Sequence, residues 1–179
     1  MSNTVLEKDN NIVWSIIETI AGAVFKFLFK LVGKEYTDSV HESLMQFVKF
    51  GIVGVSNTVI SYLLYTFSLL GLRGLGILAG VDYIVAQVIA FVLSVLWSFY
   101  WNNKMVFVME EGQSRNLWKA LAKTYVSYSF TGLFLNSILI VLWVQVFHIS
   151  EFIAPIINLL ISVPVNFLIN KFWAFKTEG

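Results

Sequence analysis

The chain has no cysteine, two histidines and two prolines among 179 residues. Without cysteine there is no disulfide, no thiolate nucleophile and no Cys-based metal site. His41 and His148 stand far apart, in no HxxxH pair and no His–carboxylate cluster, so no metal site is expected. No GxSxG, GxxxxGK[ST] or GxGxxG stretch occurs. With no nucleophile–base pair in view, an enzyme is the weakest class, and no cofactor is expected. Charge is scarce as well, at 13% of residues against roughly 25% in a soluble domain. The net charge of +1 gives no reason to expect a nucleic-acid partner. With 58% hydrophobic residues and a mean hydropathy of +0.76, there is too little charge to coat a globule in water. The composition reads as that of an integral membrane protein.

The apolar residues fall in long blocks. Crossing a hydrocarbon layer of about 30 Å takes roughly 20 helical residues. Four stretches suffice, at about 47–70, 81–101, 121–147 and 152–169. Helices are expected throughout, because lipid offers no partner to free backbone groups. GLRGLGILAG (71–80) reads as a loop, MEEGQSRN (109–116) as the polar middle connection and HISE (148–151) as a turn. Pro155 suits the first turn of the last span, and Pro164 is expected to kink it. Lysines 8, 26, 30, 34 and 49 precede or open the first span. Lys104, Arg115, Lys119 and Lys123 flank the middle connection, Lys171 and Lys176 follow the last span, and only Arg73 lies on the other side. The positive-inside rule then places both termini and the middle connection in the cytoplasm.

Residues 12–34 are a separate matter. Ser15, Glu18, Thr19, Gly22, Lys26, Lys30 and Gly33 recur every three or four residues and form one stripe on a helix. An amphipathic helix lying in the cytoplasmic interface fits this pattern, with a fifth span as the alternative. A cleaved signal peptide does not fit, since the start is acidic and polar with no A-x-A site. The organisation expected is therefore a cytoplasmic segment, 1–43, followed by a four-span domain, 44–177.

Two stretches align without a gap: SFYWNNKMVF (98–107) and NFLINKFWAF (166–175). Phe99 meets Phe167, Asn102 meets Asn170, Phe107 meets Phe175, and Ser94 meets Ser162 one turn earlier. Both endings lie at the cytoplasmic ends of even-numbered spans. The fold expected is thus all-α, with the spans arranged as two hairpins in a parallel repeat about an axis along the membrane normal. Trp, Phe, Lys and Asn are common where any helix leaves a bilayer. Anchoring, however, does not require Asn at one fixed place in both halves.

No Asp, Glu, Lys or Arg falls near the centre of any span. A buried carboxylate proton relay is therefore not expected, which also weighs against a small proton-coupled drug exporter. Amides and hydroxyls do occur at depth: Asn57, Thr58, Gln87, Asn136, Asn158 and Asn166 among them. Single Ser and Thr residues usually bond their own backbone or join helices. Mid-depth amides are more informative, and suit a path for a neutral, hydroxyl-rich group.

FVKFGIVGVSNTVISY (47–62), with Gly54, Asn57 and Thr58 in place, resembles the opening signature of the GtrA-like family of small membrane proteins. NFLINKFWAF resembles that family's N-F-x-x-N-[RK]-x-W-x-F ending through Asn166, Phe167, Asn170, Lys171, Trp173 and Phe175. In the first copy Ser98 replaces the leading Asn, Asn103 the basic residue and Met105 the Trp, with Lys104 as a substitute charge one place later. The resemblance covers about residues 44–177. It implies translocation of a polyprenyl-phosphate-linked sugar across the cytoplasmic membrane, with membrane lipid around it and a membrane glycosyltransferase as partner. It further implies Lys171, Lys104 and Lys49 as phosphate partners, and Asn102 and Asn170 as residues that orient the head group. Asn57, Thr58, Gln87, Asn136 and Asn166 would line the sugar's route, and Trp101 and Trp173 would stack on it or anchor the helix ends. Four spans make little wall around a sugar, so a homo-oligomer or a complex with the transferase is expected. The rival reading is a scaffold that docks the glycosyltransferase and moves nothing.

Overall fold

A computed structural model describes residues 12–150 and 153–177, which are helical apart from short connections. The helices are α1 (Ile12–Leu31), α2 (Asp38–Gly74), α3 (Asp82–Trp101), α4 (Leu117–Ser129), α5 (Asn136–Val141) and α6 (Ala154–Ile169). Four π-helical segments interleave with them. Asn102–Val106 continues α3, Phe130–Leu135 joins α4 to α5, Leu142–Val146 continues α5, and Asn170–Ala174 continues α6. No strand occurs among the described residues.

Five stretches are long and apolar enough to cross a membrane: Ile12–Leu31, Asp38–Gly74, Asp82–Val106, Leu117–Val146 and Ile156–Ala174. α1 passes this test with the other four, so length and composition alone admit five spans where the sequence reading counted four. The boundaries shift outward for local reasons. α2 begins well before Phe47, because nothing from Asp38 onward breaks a helix; the Thr37 hydroxyl accepts from Val40 N–H at 3.4 Å at its start. It runs on through Gly74, so only the latter part of the expected 71–80 loop is loop, with Gly76, Leu78 and Gly80 at positive φ. α4 starts at Leu117, capped by Asn116, whose side chain accepts from Lys119 N–H at 3.0 Å. Pro155 falls in the first turn of α6, and Pro164 lies inside the helix. Residues 1–11, 151, 152, 178 and 179 lie outside the described part.

The chain divides into two compact units, Met1–Val48 and Lys49–Gly179, with the boundary inside α2. In the first, Gly22 of α1 is buried beneath the His41 ring, with His41 Nε2 3.3 Å from Glu18 Oε1 and His41 Nδ1 2.8 Å from the Tyr36 hydroxyl. Ser15, Glu18, Thr19, Gly22 and Lys26 line one cleft with His41, while Ile16, Ile20, Val24 and Phe27 are exposed. Five residues of the stripe read in the sequence thus share one face, with exposed apolar side chains elsewhere on the helix; Lys30 does not line the cleft and Gly33 lies beyond the end of α1.

In the second unit α4 packs on α3, on α6 and on the Asn170–Ala174 turn, and α5 packs on α6. Its aromatic core is a cluster of phenylalanines. Phe107 stacks on Phe175 with ring centres 4.7 Å apart and on Phe167 at 5.9 Å; Phe99 stacks on Phe175 at 5.5 Å; Phe50 of α2 meets Phe167 edge-on at 5.4 Å. Lipid tails are as apolar as these rings, so the gain comes from close packing rather than from escape from water. Phe107→Ala is expected to lower stability by roughly 3 kcal/mol through the cavity it leaves. Phe172→Ala, at an exposed ring, should change the thermal unfolding of the detergent-solubilised protein little.

Candidate functional site

The two aligned endings share one local geometry. Each is a five-residue π turn closed by a bond from residue i to i−5: Phe107 N–H to Asn102 O and Phe175 N–H to Asn170 O, both 2.8 Å. In an α-helix, residues five apart point to different faces. The wider π turn brings them toward the same one, and Asn102, Phe107, Asn170 and Phe175 are all buried.

The two amides are used alike. Asn102 Nδ2 donates to Ser98 Oγ, one turn back, at 3.1 Å and to the Tyr128 hydroxyl of α4 at 3.2 Å. Asn170 Nδ2 donates to Asn166 Oδ1, one turn back, at 3.0 Å and to Ser127 Oγ of α4 at 3.1 Å. Consecutive residues of α4 thus serve the two endings, one each. Ser127 Oγ also donates to Asn166 Oδ1 at 3.0 Å. Both Asn102 and Asn170 are fully buried, and the Oδ1 of each has no hydrogen-bond partner.

Next to these turns lies a cavity of about 520 Å³, walled by α2, α3, α4, α6, the Phe130–Leu135 segment and the start of α5. Asn57, Thr58, Ser94, Thr131, Asn136 and Asn166 supply much of its polar lining. None of its lining residues is charged, although it opens between apolar helices. The side-chain oxygens of Asn57 and Asn136 are buried without a hydrogen-bond partner. Unmet acceptors in a dry setting are costly. A second hollow of about 450 Å³ adds Gln87, Tyr62 and Tyr65 to the Asn57–Thr58–Ser61 strip of α2.

Of the residues singled out in the sequence, Asn57, Thr58, Asn136 and Asn166 meet in the main cavity and Gln87 in the adjoining hollow. Lys49, Asn102, Lys104, Asn170, Lys171 and Trp173 do not line either. The Lys104 ammonium lies over the Tyr100 and Trp101 rings at 5.7 and 5.6 Å, and that of Lys171 near the Phe167 ring at 5.6 Å. Lys49 is half-buried. Trp173 is exposed and is held by Lys123, whose ammonium donates to its carbonyl at 2.9 Å and sits 5.3 Å from its ring. Sequence reasoning missed Tyr128 and Ser127 as partners of the amides, and Arg115 as a loop cation tied to both endings. Only the α4 register, invisible in a lone sequence, identifies the first two. Among the described residues no three His, Cys, Asp or Glu converge on a point.

A family model described as GtrA/DPMS, transmembrane domain, matches residues 49–175. The cell wall teichoic acid glycosylation protein GtcA of Listeria monocytogenes serovar 1/2a is 27% identical over 146 residues, spanning 80% of this chain and 90% of its own length. The protein of the same name from Listeria innocua serovar 6a is 27% identical over the same shares. No solved structure matches.

The buried amides generate a stability expectation. Asn170→Ala removes the donor to Ser127 and Asn166 and should cost about 1–3 kcal/mol. Asn103→Ala, one place beyond the matching Asn102, should cost less, because Asn103 is half-buried. Thermal unfolding of the two variants in the same detergent checks the order.

Proposed function

The chain belongs to the GtrA/DPMS transmembrane-domain family, and from that premise we propose that it carries a polyprenyl-phosphate-linked monosaccharide from the cytoplasmic to the outer face of the membrane. It is a multi-pass membrane protein. The sugar delivered outside would glycosylate a cell-surface polymer, in keeping with the teichoic acid glycosylation for which its Listeria relatives are named. The observation that carries the reading is the uncharged polar cavity between apolar helices, with Asn57, Thr58, Asn136 and Asn166 in its lining. A sugar's hydroxyls pair with such amides and hydroxyls, while the lipid tail stays in the bilayer. The protein acts as a carrier and not as an enzyme.

In this reading both termini are cytoplasmic, by the distribution of lysines. α1 lies in the cytoplasmic interface, and the four following spans form two like-oriented hairpins that rock against each other. The shared geometry of the two endings supports that pairing. Lys104, Lys171 and Lys49 draw the carrier phosphate toward the cytoplasmic end as point charges. Asn102 and Asn170 shape that end, and Trp101 and Trp173 set its depth in the membrane. A membrane glycosyltransferase charges the carrier.

The test is transport by the purified protein in proteoliposomes, followed as exposure of a polyprenyl-phosphate sugar to an external probe. Protein-dependent movement is expected. Asn57→Leu and Asn136→Leu should each slow it about tenfold, the scale of one lost hydrogen bond in a dry site, with the protein still membrane-inserted. Lys171→Ala should weaken loading. No movement, with or without the glycosyltransferase, overturns the carrier reading in favour of a docking scaffold.

A further inference from the structure

Arg115 is a half-buried cation without a counter-ion among the described residues. It stands in the connection before α4, next to the cap Asn116. Its Nη1 donates to Asn103 Oδ1 at 2.7 Å and to the Phe107 carbonyl at 3.0 Å. The guanidinium carbon lies 5.2 Å from the centre of the Phe175 ring. One side chain from the loop thus touches both repeated endings. Nε is buried and meets no acceptor. The chain's other arginine, Arg73, is paired with Asp82 at 2.7 Å, whereas Arg115 makes no ion pair among the described residues, although Glu110 and Glu111 share its loop. Burial lowers its pKa from the usual arginine value, with no carboxylate to offset it.

The position also has meaning within the repeat. In the aligned endings Asn103 stands where the second copy has Lys171. The first copy lacks a cation there, and the Arg115 guanidinium is bonded to the very side chain that replaces it. Lys104, the sequence-based substitute, lies over the Tyr100 and Trp101 rings instead. A guanidinium held at Nη1 and laid over an aromatic ring has a fixed plane. With Nη1 engaged and Nε buried, Nη2 is the donor left to meet an anion, and phosphate oxygens are good acceptors for it. A charge in a partly dry place is normally paired.

We infer that Arg115 supplies the cation missing from the first ending and is the docking point for a phosphate group. The chemistry follows from Arg115 itself; naming the polyprenyl carrier as the phosphate's owner rests on the transport reading above, and an ordinary phospholipid is the other source.

The experiment uses the wild-type chain in detergent and phenylglyoxal, which modifies accessible guanidinium groups. Arg73 and Arg115 are the chain's two arginines, so Arg73 serves as the control within the same molecule. Polyprenyl monophosphate is expected to slow modification of Arg115, read by peptide mass spectrometry, by severalfold, with Arg73 unaffected and neutral polyprenol without effect. Equal protection by phosphatidic acid also supports the phosphate site and assigns it to bulk lipid. Equal modification with and without every phosphate lipid overturns the site. By native mass spectrometry of the lipid-bound protein, Arg115→Gln should abolish the preference for polyprenyl monophosphate over polyprenol, and Arg115→Lys should keep part of it. Protection without sugar movement in vesicles overturns the transport reading and leaves the site standing. Movement that persists in Arg115→Gln, without protection in the wild type, does the reverse.

Discussion

Hydrocarbon supplies no hydrogen bonds, and most of this protein follows from that one constraint. Every amide set among apolar helices must find its partners within the chain. The Nδ2 groups of Asn102 and Asn170 do so in the same way, each reaching one turn back along its own helix and across to α4, while the Oδ1 of each stays buried without a partner. The π turns that begin at these residues close on their carbonyls and turn Phe107 and Phe175 inward, where the two rings stack. The polar pairing and the aromatic packing are therefore two consequences of one backbone feature used twice. π turns are uncommon, and they gather at functional places because they re-aim side chains that a regular helix would leave on another face.

The same constraint separates two kinds of amide. Asn158 accepts from Trp143 Nε1 at 2.8 Å and donates to the Asn136 carbonyl at 3.1 Å, which ties α5 to α6. Its role is internal. Asn57 and Asn136 line the main cavity and keep a buried side-chain oxygen unmet, as Asn102 and Asn170 do beside the π turns. The charges are divided in a parallel way. The cavity lining is uncharged, and the cations gather on the endings and on the connection that Arg115 links to them. Such a division suits a molecule with a hydroxyl-rich part and an anionic part.

Much of this was legible in the chain. Asn57, Thr58, Asn136 and Asn166, which meet in the main cavity, stand out because a polar side chain is rare in an apolar run, and rarity needs no third dimension to be noticed. The repeated Phe-x-x-Asn was equally plain. Less legible were the helix limits: Asp38–Phe47 and Gly71–Gly74 carry polar or flexible residues yet continue α2, since no proline or cap stops it. Lys104 was the nearest cation in sequence to the gap at Asn103, but Arg115 reaches that gap through the return of the loop.

What the sequence determined by itself is the class of the protein: helical, membrane-embedded, uncharged at mid-depth and built with two like endings. These are properties of composition and of spacing along one strand, and lipid enforces them locally. What only the tertiary structure decided is which polar groups remain unmet. Satisfaction depends on the register of α4 against α3 and α6, and on a loop that folds back on both endings. Hydrogen bonds act over about 3 Å between residues distant in the chain, so no local pattern distinguishes an amide whose groups are all paired from one whose oxygen stays unmet.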